Sequence, residues 1–188
     1  MGEKSVTEAE LVEQVLAGQP QAWATLVGEQ QAAVFRLAFL LLGDAGEAED
    51  VAQDVFVRAA AGLARFDRTR PLRPWLLQIT RNLAANRRRS ARRYLAALAR
   101  WWHANAPTQA AAQAAPQVDD DAAALHQAIG RLRAQDQEVI YLRYFLELPV
   151  DETAQALGVA PGTVKSRLAR ALGRLRPLVQ AAMEVVDD

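Results

Sequence analysis

The chain contains no cysteine, which excludes disulfides and thiolate metal sites and fits a reducing compartment. Its two histidines, His103 and His126, have no spaced partners that would form a metal or catalytic cluster. No alternating β-branched run predicts a strand. The longest uninterrupted apolar run, Leu37–Leu42, is too short to span a bilayer, and no signal peptide is recognisable. We therefore expect an all-α cytoplasmic protein that is not an enzyme and that uses no metal, cofactor or small-molecule substrate.

The formal net charge is zero, with 22 basic and 22 acidic residues, yet the charges are segregated along the chain. Residues 61–100 contain eleven arginines and a single acid, and residues 161–176 contain five basic residues and no acid. Residues 1–60 and 101–160 are predominantly acidic. We interpret the two basic blocks as separate surfaces that face phosphate groups. The acidic blocks either contact a protein partner or are solvated helix faces.

The segment Val150–Arg176 has the spacing of a helix-turn-helix motif. Ala154 is small enough for two helices to cross closely, Gly158 falls at the sharp turn, and Val164 provides an apolar anchor for the second helix. Pro161 suits the first turn of that helix, where its missing N–H would have no partner. The second helix carries only positive charges, which is typical of a helix that lies in the major groove of DNA.

The remaining pattern predicts further helices in two domains joined by a linker. Capping boxes are predicted at Thr7–Glu10 and Asp44–Glu47, and the prolines of Arg65–Pro74 predict an ordered loop. The predicted helices run from Thr7 to Gly18, from Pro20 to Gly43, from Asp44 to about Leu63 and from Trp75 to about Ala99, and then over residues 121–133, 136–146, 150–157 and 161–176. The predicted domains are residues 1–99 and the four-helix domain 121–188, with residues 100–120 as the linker.

The helix predicted after Trp75 has an apolar stripe only as far as Leu83, and arginines surround it beyond that point. Asn82 and Asn86 lie one turn apart on its polar side, where an asparagine either bonds a base edge or simply bonds solvent. Phe66 and Trp75 flank the preceding loop. They either stack on unpaired bases or pin the loop as core residues, and the core role is favoured for Trp75.

With these motifs the chain resembles the extracytoplasmic-function (ECF) sigma factors, the small two-domain members of the main bacterial sigma family. The C-terminal part of the resemblance is the run Gly162–Leu168 (GTVKSRL), followed by Arg170-Ala171 and Leu175-Arg176. The N-terminal part is Ala48–Phe56 (AEDVAQDVF), then Phe66, then Trp75–Asn82 (WLLQITRN). The resemblance covers roughly residues 8–94 and 122–179.

The resemblance implies a protein that binds core RNA polymerase, reads the −35 promoter element as duplex DNA and opens the −10 element. An anti-sigma protein is implied as a further partner. The implied polymerase-binding residues are Asp50, Gln53, Asp54 and Phe56. The implied −10 residues are Phe66, Trp75, Arg81, Asn82, Asn86, Arg88 and Arg89, and the implied −35 residues are Thr163, Lys165, Ser166, Arg167, Arg170 and Arg174.

Two other classes of protein compete with this interpretation. A homodimeric helix-turn-helix regulator that acts without polymerase would explain the C-terminal motif, but no heptad pattern predicts a dimer interface. A nuclease would need clustered acids, and the run Asp119–Asp121 is favoured as a linker end or helix cap over a cation site.

Overall fold

The fold was analysed in a computed structural model, which describes residues 7–105 and 120–184. Every element in these two ranges is helical, which confirms the predicted all-α class. The N-terminal helices are α1 (Glu8–Leu16), α2 (Pro20–Leu42), α3 (Ala45–Gly62), a single 3₁₀ turn at Leu63–Arg65, and α4 (Leu72–Asn105). The C-terminal helices are α5 (Asp120–Gly130), α6 (Ala134–Ile140) with a π-helical turn at Tyr141–Phe145, α7 (Val150–Leu157) and α8 (Pro161–Glu184).

Side-chain caps mark the starts of α1 and α3. The Thr7–Glu10 capping box forms, with the Thr7 backbone N–H donating to Glu10 Oε2 at 2.8 Å. Asp44 caps α3 by accepting from the Glu47 N–H at 2.8 Å. The prediction of a second capping box was only half right, because the Glu47 carboxylate pairs with Arg87 instead.

Two helices differ from their predicted lengths. Helix α4 begins at Leu72 rather than Trp75, because Pro74 lies in its first turn, where no N–H is required. It continues to Asn105, so the first residues of the predicted linker are helical, and residues 106–119 lie outside the described ranges. Helix α8 continues through Pro177 to Glu184, beyond the predicted end at residue 176.

The N-terminal core lies where α2, α3 and α4 pack together and α1 covers α2. Its fully buried members include Leu26, Val34, Val55 and Leu76. By length and composition alone, the whole of α2 is apolar enough to cross a membrane, which the count of uninterrupted apolar residues had not detected. Six of its residues are buried against the neighbouring helices.

The C-terminal helices share a second buried cluster that extends into the N-terminal half. Tyr141, Leu142 and Val164 are among its fully buried members, each no more than 2% exposed. Leu77 of α4 and Leu41 of α2 belong to the same cluster, so the two halves pack against each other. The packing sets the polar side of α4 beside α7.

Candidate nucleic-acid interface

Helices α7 and α8 form the predicted helix-turn-helix. Ala154 is 4% exposed where the helices cross, and Val164 is completely buried. Gly158 ends α7 with φ of 66°, a left-handed conformation that favours glycine. Pro161 is the first residue of α8. The positions predicted from spacing therefore have the expected burial and backbone geometry.

The outer face of α8 presents a short basic surface. Lys165, Ser166 and Arg170 are exposed, whereas Thr163 and Arg167 are half-buried. The Arg170 Nε donates to the Ser166 carbonyl oxygen at 3.1 Å, a bond within the helix that leaves the rest of the guanidinium facing outward. This face carries polar donors of the kind that read base edges and phosphates.

Arg174 differs from the other basic residues of α8. Its Nη1 donates to Asp136 Oδ2 at 2.6 Å, and the Asp136 side chain is only 6% exposed. The pair joins α8 to the first turn of α6. Its predicted contact with the −35 element remains a prediction, and the structure gives Arg174 a partner inside the protein.

A second candidate surface lies where the 66–71 loop meets α4. The Phe66 and Trp75 ring centroids are 4.9 Å apart with a 40° interplanar angle, and both side chains are half-buried. With Pro71 and Gln78 they line a cavity of about 100 Å³. The two aromatic residues thus pack against each other and also form the wall of an opening.

Asn82 and Asn86 of α4 are exposed and bonded to neighbouring arginines. Asn82 Oδ1 accepts from Arg81 Nη2 at 3.2 Å, and Asn86 Oδ1 accepts from Arg89. The sequence left two partners open for each asparagine, a base edge or solvent. The structure adds a third, because an arginine holds the amide oxygen.

Four arginines in the described part of α4 contact groups elsewhere in the protein, and the first, Arg73, donates from Nη2 to the Leu146 carbonyl oxygen at 3.5 Å. Arg81 Nη1 donates to the Leu157 carbonyl oxygen at 2.8 Å, and Arg88 Nη1 donates to Gln137 Oε1 at 3.4 Å. Arg87, which sequence reasoning had grouped with the phosphate-seeking arginines, pairs with Glu47 and with Asp50 Oδ2, the latter at 2.6 Å. These two carboxylates raise the pKa of Arg87 and tie α3 to α4.

The exposed side of α3 is acidic with an apolar centre. Asp50, Gln53 and Asp54 are exposed, and their predicted contact with polymerase remains a prediction. Phe56 is half-buried and meets Trp23 edge-on, at a centroid distance of 6.4 Å. The next residue, Val57, is 69% exposed and was missed by the sequence analysis. The available sequence signal was a valine at a position where the amphipathic pattern of α3 predicts an exposed side chain.

Comparison with protein families matches both halves of this architecture. Residues 26–94 match the model of "Sigma-70 region 2", and residues 122–175 match that of "Sigma-70, region 4". The N-terminal helices with the exposed acidic α3, and the C-terminal basic helix-turn-helix, thus correspond to the two matched regions of a sigma factor of the sigma-70 class.

Curated relatives narrow the class further. The chain is 34% identical to the ECF RNA polymerase sigma factor SigL of Mycobacterium tuberculosis over 87% of this chain and 92% of that protein. It is 31% identical to SigW of Bacillus subtilis over 88% and 92% of the two chains. It is also 32% identical to BldN of Streptomyces coelicolor, where it spans 65% of the longer protein. The chain belongs to the ECF sigma factors.

Solved structures agree with this assignment. CnrH, solved with the cytosolic domain of CnrY, superposes with a TM-score of 0.69 at 27% identity, covering 93% of this chain and 97% of CnrH. The sigma factor RpoE of Bartonella quintana, solved with the anti-sigma factor NepR, gives 0.65 at 26% identity, covering 84% and 96%.

Proposed function

We propose that this ECF sigma factor binds core RNA polymerase in the cytoplasm, directs it to promoters through a −35 and a −10 element, and starts transcription of a stress- or signal-responsive set of genes. Its two domains are proposed to be residues 1–99 and 121–188, with residues 100–120 between them. The homodimeric alternative is not favoured, because the relatives are polymerase sigma factors. The observation that carries the proposal is the pairing of an outward basic helix-turn-helix with a separate aromatic and arginine surface.

The −35 element is proposed to be read by α8. Lys165, Ser166 and Arg170 have outward side chains, and Thr163 and Arg167 flank them. One short helix offers a few base contacts, each worth about 1–3 kcal/mol of discrimination. That is too little to select a promoter among many competing sites, so a second recognition step is needed.

The −10 element is proposed to be held as a single strand beside α4. Phe66 and Trp75 border the cavity in which an unstacked base would lodge, and base stacking on an aromatic ring is worth about 1–3 kcal/mol. Asn82 lies one helical turn beyond Gln78 and offers an amide to the base edge. Such a trap offsets part of the cost of unpairing the duplex.

The polymerase is proposed to bind the exposed side of α3. Asp54 and Gln53 offer acceptors for basic groups, and Val57 offers apolar area at their centre. Phe56 is assigned an internal role, since it packs on Trp23. Attachment of both DNA-binding surfaces to one polymerase makes the second contact intramolecular, which increases the apparent affinity.

An anti-sigma factor is proposed as the regulator. The structural neighbours CnrH and RpoE were each solved with such a partner or its cytosolic domain. Because these neighbours cover most of this chain, a partner of the same kind is proposed for it.

The test is run-off transcription with purified bacterial core RNA polymerase on a genomic fragment library. We expect start sites that depend on this chain and that share two spaced elements. Asp54→Lys should abolish both polymerase binding and transcription, whereas Glu29→Lys, a charge reversal on α2, should leave both unchanged. Specific promoter binding by the chain alone, with no effect of core enzyme, would contradict the proposal.

A further inference from the structure

We infer that the C-terminal end of α4, residues 91–105, is a basic amphipathic helix that binds the surface of an anionic membrane. This activity goes beyond the proposed function, because it uses none of the residues assigned to promoter DNA or to polymerase. Most of the segment also lies outside the region shared with the family, since the match to "Sigma-70 region 2" ends at residue 94.

Helix α4 leaves the N-terminal core before this segment begins. Among the α4 residues whose exposure the structure describes, Leu83 and Ala84 are the last that are buried. Further along, Ala91 and Arg93 are exposed, and Tyr94 is 68% exposed. The helix nevertheless continues to Asn105. A helix that extends beyond its own core needs another partner for any apolar face that it carries.

The extension carries such an apolar face. Successive residues of a helix are turned by about 100°, so positions with the spacing i, i+3, i+4 and i+7 fall on one side. In residues 91–102 the aromatic and leucine positions follow this spacing and lie within an arc of about 120°. The positions of this apolar stripe are Ala91, Tyr94, Leu95, Leu98, Trp101 and Trp102.

The other side of the same segment is basic. Arg92, Arg93 and Arg100 fall outside the apolar stripe, together with three alanines. Residues 68–118 contain no aspartate or glutamate, so the positive charge of the segment is not offset by any acid in its neighbourhood along the chain. A helix with one apolar and one basic side is typical of membrane-surface binding.

An anionic membrane surface offers both kinds of contact that this segment needs. Its acyl boundary takes up an apolar stripe, and its headgroups attract basic residues beside that stripe. Tyrosine and tryptophan are favoured at this boundary, because each combines an apolar ring with a polar group. The phosphate backbone of DNA would satisfy the arginines but would leave the two leucines in water. A groove in another protein would take up the leucines but would not account for the exclusion of acids.

The segment is expected to lie on the membrane and not to cross it. Residues 91–102 form about three helical turns with a length of about 18 Å. A spanning helix needs roughly 20 predominantly apolar residues, and here only one side is apolar. The helix axis therefore lies parallel to the membrane surface, with the basic side toward the headgroups.

The experiment measures sedimentation of the full-length chain with lipid vesicles. Vesicles of phosphatidylcholine are compared with vesicles of phosphatidylcholine and phosphatidylglycerol in equal amounts, of which only the second are anionic. One basic residue near an anionic surface strengthens binding roughly fivefold. Three arginines therefore predict a preference for the anionic vesicles on the order of 100-fold.

The apolar stripe is tested by Leu98→Gln, which should weaken binding to the anionic vesicles by roughly tenfold or more. Ala96→Gln places the same side chain on the opposite side of the helix and should bind like the parent chain. Far-ultraviolet circular dichroism must show unchanged helix content, and Trp101→Gln repeats the test on the same stripe if Leu98→Gln fails to fold.

The basic side is tested by replacing Arg92, Arg93 and Arg100 together by glutamine, which should abolish the preference for anionic vesicles. The matched control removes the same charge elsewhere, through Arg58→Gln, Arg131→Gln and Arg133→Gln, all at exposed positions. The control chain should bind like the parent. Equal losses in the two triple variants would show attraction by net charge alone and would overturn the inference.

Three further results would overturn the inference. The first is a parent chain that does not sediment with anionic vesicles, and the second is an equal loss in Leu98→Gln and Ala96→Gln. The third is a Leu98→Gln chain with parental vesicle binding but with lost self-association in light scattering or lost affinity for core RNA polymerase, which would assign the stripe to a protein partner. Run-off transcription tests the proposed function separately, so neither failure entails the other.

Discussion

Arg170 and Arg174 lie one helical turn apart on α8 and should respond to alanine substitution in opposite ways. Arg170 is exposed and bonds only to the Ser166 carbonyl among the described residues. Arg174 is bonded at 2.6 Å to Asp136, whose side chain is 6% exposed. We therefore expect Arg170→Ala to reduce promoter discrimination and Arg174→Ala to reduce stability.

The size of the Arg174 effect follows from its burial. Breaking a fully buried ion pair costs about 3–5 kcal/mol because one charge stays buried and unpaired. Arg174 is 44% exposed, and Asp136 lies in the first turn of α6, where the helix dipole favours a carboxylate. We discount the cost to about 1–3 kcal/mol for these reasons. For the proposed C-terminal domain, residues 121–188, this loss of stability corresponds to a fall in Tm of roughly 5–20 °C.

The Arg170 effect should appear in recognition alone. Its removal should lower discrimination between matched and altered −35 elements by about 1–3 kcal/mol, or roughly 5- to 150-fold. The Tm should be nearly unchanged, because substitution of an exposed residue alters the free energy of unfolding by no more than about 0.5 kcal/mol.

Thermal melts followed by circular dichroism and run-off transcription on paired templates measure the two quantities. Asp136→Asn in the Arg174→Ala background should recover part of the lost stability, because no buried charge then remains unpaired. An Arg174→Ala chain that melts like the parent and loses −35 discrimination as Arg170→Ala does would refute the reasoning and restore Arg174 to the DNA-binding set.

Gln137, Glu138 and Asn82 support the other predictions. Gln137→Leu should cost about 2–4 kcal/mol in thermal melts, since its amide bonds three carbonyls near the end of α5; an equal loss in Gln135→Leu would contradict this. Burial raises the pKa of Glu138, so its contribution favours folding at low pH and is lost as pH rises through that pKa. Glu138→Gln should therefore gain stability relative to the parent as pH rises through the titration range of Glu138, and a constant difference in Tm would oppose this. Asn82→Ala should impair promoter opening, read by permanganate footprinting of thymines, more than closed-complex binding; equal losses would count against it.

The helix-turn-helix could be predicted from sequence because its determinants are local. Ala154, Gly158, Pro161 and Val164 lie within eleven consecutive positions, and each has a backbone or burial requirement that few residue types meet. Such signals need no knowledge of distant partners. The same reasoning explains why the Thr7–Glu10 capping box was predicted correctly.

The roles of individual arginines could not be predicted, because their partners are distant in sequence. Arg81 bonds a carbonyl group 76 residues away, Arg87 a carboxylate 37 residues away, and Arg174 one 38 residues away. A charge pattern shows that a helix is basic, but it does not show which cations are already paired. Arg87 is instructive, since it lies between two arginines assigned to DNA and instead ties α3 to α4.

The direction of individual side chains on α3 could not be predicted from the sequence either. Adjacent residues point about 100° apart around the helix axis. The polymerase contact of the aromatic Phe56 remains a prediction, but the sequence did not show that Trp23 meets Phe56 edge-on or that Val57 faces outward. Side-chain direction depends on where the core lies, and the core is defined only when α2 has packed against α3.

The bonds that these arginines make within the protein change how much each of them can contribute to DNA binding. A guanidinium that binds phosphate after leaving a carboxylate or a helix C-terminus contributes only the difference between the two interactions. Arg89 begins exposed, whereas Arg81 begins bonded to Leu157, so equal charges on one helix make unequal contributions to DNA binding. An arginine that is bonded within the protein must therefore give up that partner before it contributes fully to DNA binding.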